Sequence, residues 1–301
     1  MKRKIISLAR STNVITLPNK WCEKNCLRKG DEVDISENGD SIVVSPLKIR
    51  KKIVIDISDK QPMIRRILGS AYKTGYDEMS ISYSSHDELL IAQEVIQQEF
   101  IGFEVVSVEK DKKVITARLV SEPDDDNFSQ MLRRMMLMIK DVADEIAGSY
   151  HVQKDLKRVA EMDKEVNKLA DFCRRSINRN SLLQISDSVK HNPPLYFIVE
   201  QLENIGDEYR DLALLMAENP LKDENIYSLI SDVSSFFEMF YNLFYSFSYD
   251  GVSIFGSERD SLKNKIDEMM SSNENSALLT ICRNITEKTF DMNGPLMAIY
   301  I

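Results

Sequence analysis

Ile198-Val199-Glu200-Gln201-Leu202-Glu203-Asn204-Ile205-Gly206-Asp207-Glu208-Tyr209-Arg210-Asp211-Leu212-Ala213-Leu214-Leu215-Met216 is the stretch that decides the architecture of most of this chain. Ile198, Leu202, Ile205, Tyr209, Leu212 and Met216 fall four, three, four, three and four positions apart, the spacing of a helix face buried against other helices. At about 100° per residue, Glu203, Asp207 and Asp211 share a second stripe roughly opposite the apolar one. Outward from this segment, the same period predicts six helices, at about 128–149, 152–180, 192–217, 222–248, 257–272 and 275–300. The methionines, including Met131, Met135, Met136 and Met138, read as core packing.

Upstream the period changes. Residues 51–120 read as a small α/β sandwich: strand Lys52–Ile57, helix Gln61–Thr74, strand Glu78–Tyr83, helix His86–Gln98, and a hairpin of Glu104–Val108 and Val114–Leu119. Strands alternating with helices give that layered class. Ser121-Glu122-Pro123-Asp124-Asp125-Asp126-Asn127 is an acidic linker into the helices. Residues 1–48 instead alternate apolar and polar residues in short runs, Ile5–Leu8, Val14–Leu17, Glu32–Ile35 and Ser41–Ser45, which read as strands. A short helix begins near Pro18. A block this small, with no disulfide framework or zinc ligands, buries too little surface alone and is expected to pair with a second copy.

Charge is unevenly shared. Twelve Lys and Arg against six acids through Lys52 give +6, which leaves −15 for the remainder of a chain whose total is −9. A cationic head on an anionic body directs phosphate contact to the head. Cys22, Cys26, Cys173 and Cys282 form no Cys-x-x-Cys pair and read as reduced core residues. His86, His151 and His191 are scattered and read as surface residues. No Ser/His/Asp set or Cys/His pair at ligand spacing stands out, and no Gly-rich phosphate loop, so neither a catalytic centre nor an organic cofactor is expected. The first apolar run is interrupted by Arg10, Ser11, Thr12 and Asn13, unlike a secretory signal. Even Phe236–Phe247, broken by Glu238, Asn242 and Ser246, falls short of the ~18 apolar residues of a membrane span. A cytoplasmic protein with no membrane insertion is expected.

Ile15-Thr16-Leu17-Pro18-Asn19-Lys20-Trp21, followed by Lys29-Gly30-Asp31-Glu32-Val33, resembles the SpoVT/AbrB family of swapped-hairpin dimeric DNA-binding domains, over about residues 3–47. The antitoxin branch shares that fold; the long ordered remainder of this chain differs from a short toxin-binding tail. The resemblance implies double-stranded DNA as partner, a homodimer or higher homo-oligomer, and DNA contacts from Arg3, Lys4, Arg10 and Lys20. A dimer doubles the +6 on one face, and phosphate neutralisation supplies most non-specific affinity.

Residues 127–301 resemble the PhoU family of phosphate-uptake regulators, tandem three-helix bundles with metal-binding acidic motifs. Glu161-Met162-Asp163-Lys164-Glu165-Val166-Asn167 and the segment Leu202–Ala213 carry the match. An internal repeat supports a duplication into bundles at about 127–218 and 221–301. Glu161-x-Asp163-x-x-x-Asn167 recurs 97 residues on as Glu258-x-Asp260-x-x-x-Asn264, and Ile205-x-Asp207-x-x-x-Asp211 recurs 80 residues on as Ile285-x-Glu287-x-x-x-Asp291. Two linked bundles are expected rather than one six-helix fold. Like charges at i, i+4 repel by ~0.2–0.5 kcal/mol per pair, and a divalent or trivalent cation (Mg, Mn, Fe or Zn) would convert that repulsion into coordination. Candidate ligands are Glu161, Asp163, Asn167, Glu203, Asp207 and Asp211 in the first half, and Glu258, Asp260, Asn264, Glu287 and Asp291 in the second.

Together the blocks resemble archaeal regulators of this architecture. The expected function is transcriptional regulation of phosphate uptake, with the bundles sensing metal, phosphate or the transporter's ATPase subunit. The alternative is a cytoplasmic adaptor that inhibits the transporter by protein contact, its head serving only for dimerisation.

Overall fold

The computed structural model describes residues 2–9, 12–38, 41–46, 50–121, 125–150, 155–182, 188–219, 223–272 and 275–300. The chain divides into two compact units, Met1–Arg50 and Lys51–Ile301.

The first unit holds two antiparallel hairpins around a short helix: β1 (Ile6–Ala9) with β2 (Thr12–Val14), α1 (Asn19–Lys24), then β3 (Val33–Asn38) with β4 (Ser41–Pro46). The strand expected at Val14–Leu17 lies earlier, because its pairing with β1 runs out at Ile6↔Val14. Pro18, extended at φ −66°, leads into α1, and its carbonyl accepts from the Trp21 and Cys22 amides. Cys26 closes the turn after α1 at φ +56°. That backbone places Cys26 on the surface and Cys22 half-buried, whereas Cys173 and Cys282 are core residues as expected. None of the described residues of this unit is buried. Ile5, Ile6, Leu8, Ile15, Ile35 and Ile42 are exposed, so the described residues of a single copy build strands without a buried core.

The second unit opens with the expected α/β layer: β5 (Lys52–Asp56), a 3₁₀ turn, α2 (Ile64–Thr74), β6 (Glu78–Ser82), α3 (His86–Glu99), β7 (Phe103–Glu109) and β8 (Val114–Leu119). Sheet order is β5-β6-β8-β7, with only β5 and β6 parallel. Alternation along β6 and β8 sends Met79, Ile81, Ile115, Ala117 and Leu119 into one core with Ile64, Leu68, Leu89, Ala92 and Ile96 of the helices. Ser85 and Glu88 form a reciprocal capping box that starts α3, as their i, i+3 spacing dictates. Gly75 ends α2 at φ +95°, a conformation a side chain resists.

The helices are α4 (Asp125–Ala147), α5 (Leu156–Glu161), α6 (Asp163–Leu182), α7 (Ser188–Glu218), α8 (Glu224–Tyr245), α9 (Tyr249–Ser272), α10 (Ser276–Asp291) and α11 (Asn293–Tyr300). Two of the expected helices are broken, at Met162 and at Met292. The second break follows from Pro295: proline has no N–H to donate back and its ring collides with the preceding turn, so it sits in the first turn of a new helix. None of the described helices is long and apolar enough to cross a membrane.

Within each half, three main helices pack on one another, α4, α6 and α7 in the first and α8, α9 and α10 in the second. The halves also join through α4 with α8 and α7 with α10, and their buried residues form one continuous core from Leu132 to Leu296. The two linked halves expected from the sequence thus share one core among the described residues. At the α7–α10 contact, Lys288 pairs with Glu208 and Asn284 Nδ2 donates to the same carboxylate at 3.1 Å. Glu208 and Lys288 are counterparts at the 80-residue offset, so the repeat meets itself at equal positions, as across a two-fold axis. Opposite charges at that point replace the repulsion that identical residues would bring.

Side chains of α6 fasten the α/β layer to the helices. Arg175 on α6 is 1% exposed. It donates to the Tyr72 carbonyl at 3.0 Å, the Tyr76 carbonyl at 2.6 Å and Asp77 Oδ1 at 3.0 Å. Its guanidinium lies 5.1 Å from the Tyr72 ring and 5.0 Å from the Phe103 ring, a geometry that suits a desolvated cation. Arg179 reaches the same Asp77 oxygen at 2.7 Å, and the second oxygen accepts from the Lys51 amide at 3.0 Å.

Candidate functional site

Two regions carry the residues singled out by sequence. In the first unit, Arg3, Lys4 and Lys20 are all exposed. Arg3 and Lys20 come together on the walls of a shallow open groove completed by Thr16, Leu17, Pro18 and Asn19. Arg10 lies outside the described residues. The groove is built by the Leu17-Pro18 extension entering α1, which presents Lys20 from the first turn of the helix.

The second region is the seam between α6 and α7. Asp163 is buried in the first turn of α6. Asn167 Nδ2, one turn on, donates to Asp163 Oδ2 at 3.0 Å. Arg210 of α7 donates to that same oxygen at 3.1 Å, to Asp211 Oδ1 at 2.9 Å, and to Asp207. One guanidinium therefore answers three of the predicted carboxylates. Gly206 permits the approach: a Cβ there would lie 3.0 Å from Val166 Cγ1 and 3.5 Å from Asp163 Oδ1. Burial pushes the Asp163 carboxyl above its ordinary range, against the opposing pull of Arg210.

Two acceptors in this seam, Asp163 Oδ1 and Asn167 Oδ1, are buried without a hydrogen-bond partner among the described residues, as is the Tyr209 hydroxyl. Such groups are uncommon and point to an unfilled polar requirement. Asp163, Gly206, Tyr209 and Arg210 also line a cavity of about 10 Å³, the room of a single water.

The predicted row Glu203, Asp207, Asp211 is divided. Glu203 turns to Arg174 of α6, which is 2% exposed and also binds Asp171 at 2.9 Å and Glu200 at 2.7 Å. Burial raises the Asp171 carboxyl despite Lys73 and Arg174. Glu161, at the end of α5, is exposed and outside the seam.

The second half solves the same problem with a cation from the facing helix. Arg259 of α9 holds Asp260 at 2.9 Å and Glu287 at 2.5 Å, with Lys263 3.9 Å from Glu287. Its guanidinium lies 5.1 Å from the Phe290 ring, and Phe290 is the 80-residue counterpart of Arg210. Burial first, then Glu287, raises the Asp291 carboxyl. Glu258 and Asn264 are exposed. The arginines 174, 210 and 259 were not singled out by sequence. Their signal was an arginine embedded among acids, as in Asp207-Glu208-Tyr209-Arg210-Asp211, but the acids each one answers lie partly on another helix. Among the described residues, no group of three or more His, Cys, Asp or Glu side chains is arranged to hold a metal ion.

Compared with known families, residues 8–52 match the model of the MazE antitoxin family, described as antidote-toxin recognition MazE, bacterial antitoxin. The N-terminal unit is thus a MazE/AbrB-like domain followed by a mostly helical region. Neither a curated protein nor a solved structure matches the chain.

Proposed function

We propose that this protein is a DNA-binding transcriptional regulator whose N-terminal unit grips DNA as a homodimer and whose helical body senses a signal. The observation that carries the reading is the N-terminal unit itself. It is MazE/AbrB-like over residues 8–52, it has no buried residue of its own among those described, and it sets Arg3 and Lys20 on one groove. Hairpins with exposed isoleucines need a second copy to bury them, and pairing doubles the cationic face.

The resemblance of the body to PhoU makes phosphate status the proposed signal. Asp163, Asn167, Asp207 and Asp211 would hold a cation such as Mn²⁺: two of their oxygens are buried and unpartnered, and Arg210 now supplies the positive charge. A bound cation would supply charge neutralisation without committing a side chain. The second half fits less well, with Glu258 and Asn264 exposed. A second reading, an adaptor acting on the transporter's ATPase subunit, is favoured by the −15 carried outside the head.

Gel shift with promoter DNA at about 50 and 200 mM salt tests the main reading. Binding should fall steeply with salt, and Arg3→Ala with Lys20→Ala should flatten the slope by roughly one for each phosphate that is no longer neutralised. Salt-insensitive or absent binding by a dimer would favour the adaptor.

A further inference from the structure

We infer that β5 is a homodimerisation edge, pairing antiparallel with β5 of a second copy about a two-fold axis at Val54. β5 is an outer strand of its sheet, and among the described residues no strand pairs with its far side. The Glu78 amide donates to the Lys51 carbonyl and the Ile57 amide to the Ser82 carbonyl, so odd-numbered residues of β5 turn their backbone groups toward β6. Alternation then points the N–H and C=O groups of Lys52, Val54 and Asp56 outward. Val54 is 79% exposed.

The occupant follows from the sequence of the strand, Lys52-Ile53-Val54-Ile55-Asp56. Read against its own reverse, it sets Lys52 opposite Asp56, Ile53 opposite Ile55, and Val54 opposite Val54. Every cross-strand pair is then favourable, opposite charges at the ends and β-branched residues within, and the outward backbone groups fall into mutually bonding pairs. Lys52 already meets Glu78 at 2.9 Å, and its ammonium has donors to spare for a second carboxylate.

The opposite edge is defended. β7 carries a register shift between Val105 and Ser107 and exposes Glu104 and Glu109, devices that keep an edge from pairing. β5 has a regular register and neither proline nor bulge.

The test uses the full chain carrying Val54→Cys, oxidised mildly, with linked peptides read by mass so that Cys26 does not confuse the result. A 54–54 link is expected, and none for Val106→Cys on the β7 edge. Asp56→Lys places lysine opposite lysine at both ends and should weaken the pairing roughly tenfold or more, with Lys52→Asp added to restore it. No more 54–54 link than in the Val106→Cys control, or a link indifferent to Asp56→Lys, would overturn the inference. Both positions are exposed, and circular dichroism of each variant checks that the fold is kept. DNA binding is measured separately by gel shift, so either conclusion fails without the other.

Discussion

Replacing Arg175 by methionine keeps an apolar stem between the Tyr72 and Phe103 rings but deletes the guanidinium. The Tyr76 carbonyl loses the Arg175 donor, the Tyr72 carbonyl is left with the Gly75 amide, and Asp77 is left with Arg179 and the Lys51 amide. Hydrogen bonds to charged groups contribute about 1.5–3 kcal/mol each, and removing one partner of a buried ion pair costs about 3–5 kcal/mol. The remaining Arg179 bond places the expected loss near the middle, at about 4 kcal/mol. Urea unfolding followed by far-ultraviolet circular dichroism measures it. With a slope of about 3 kcal/mol per molar for a unit of this size, the midpoint should fall by more than about 1 M. Asp77→Asn alone should also destabilise, and the double variant should lose less than the sum, with a coupling of about 1–3 kcal/mol. A single-variant loss below about 1 kcal/mol, or strict additivity, would show that Arg175 fills space without joining the α/β layer to the helices.

Two further outcomes are expected. Equilibrium dialysis against Mn²⁺ should show uptake abolished by Asp163→Asn with Asp207→Asn, and strengthened roughly tenfold by Arg210→Ala, which strips the carboxylates of their competing cation; uptake indifferent to these changes would remove the proposed site. Glu88 accepts from the Ser84, Ser85 and Asp59 amides, which hold its carboxyl at about 2. A depressed carboxyl stabilises the fold above its unfolded value and loses that contribution as pH falls through the folded one. Glu88→Gln should therefore lower the melting temperature at neutral pH, and the gap from the parent should close as pH falls toward about 2; a gap independent of pH would refute that role.

The periodicity of this chain determined most of its elements. Alternation marked β5 through β8, and Ile198 through Met216 marked the buried face of α7 because each position's partner face is encoded by spacing alone. Charge placement separated the cationic head from the anionic body, and the acidic motifs recurred at offsets of 97 and 80 residues. Packing decided the rest. Whether Glu203 joins Asp207 or Arg174 depends on how close α6 lies to α7, which Gly206 controls from within the seam. That Arg210 serves one half and Arg259 the other is likewise set by which helix faces the carboxylates. Arg175 looks like any helix-surface cation until the α/β layer closes over it. A spacing reports which way a side chain points from its own helix, while the identity of its partner is a distance between elements, and that exists only once the chain has packed.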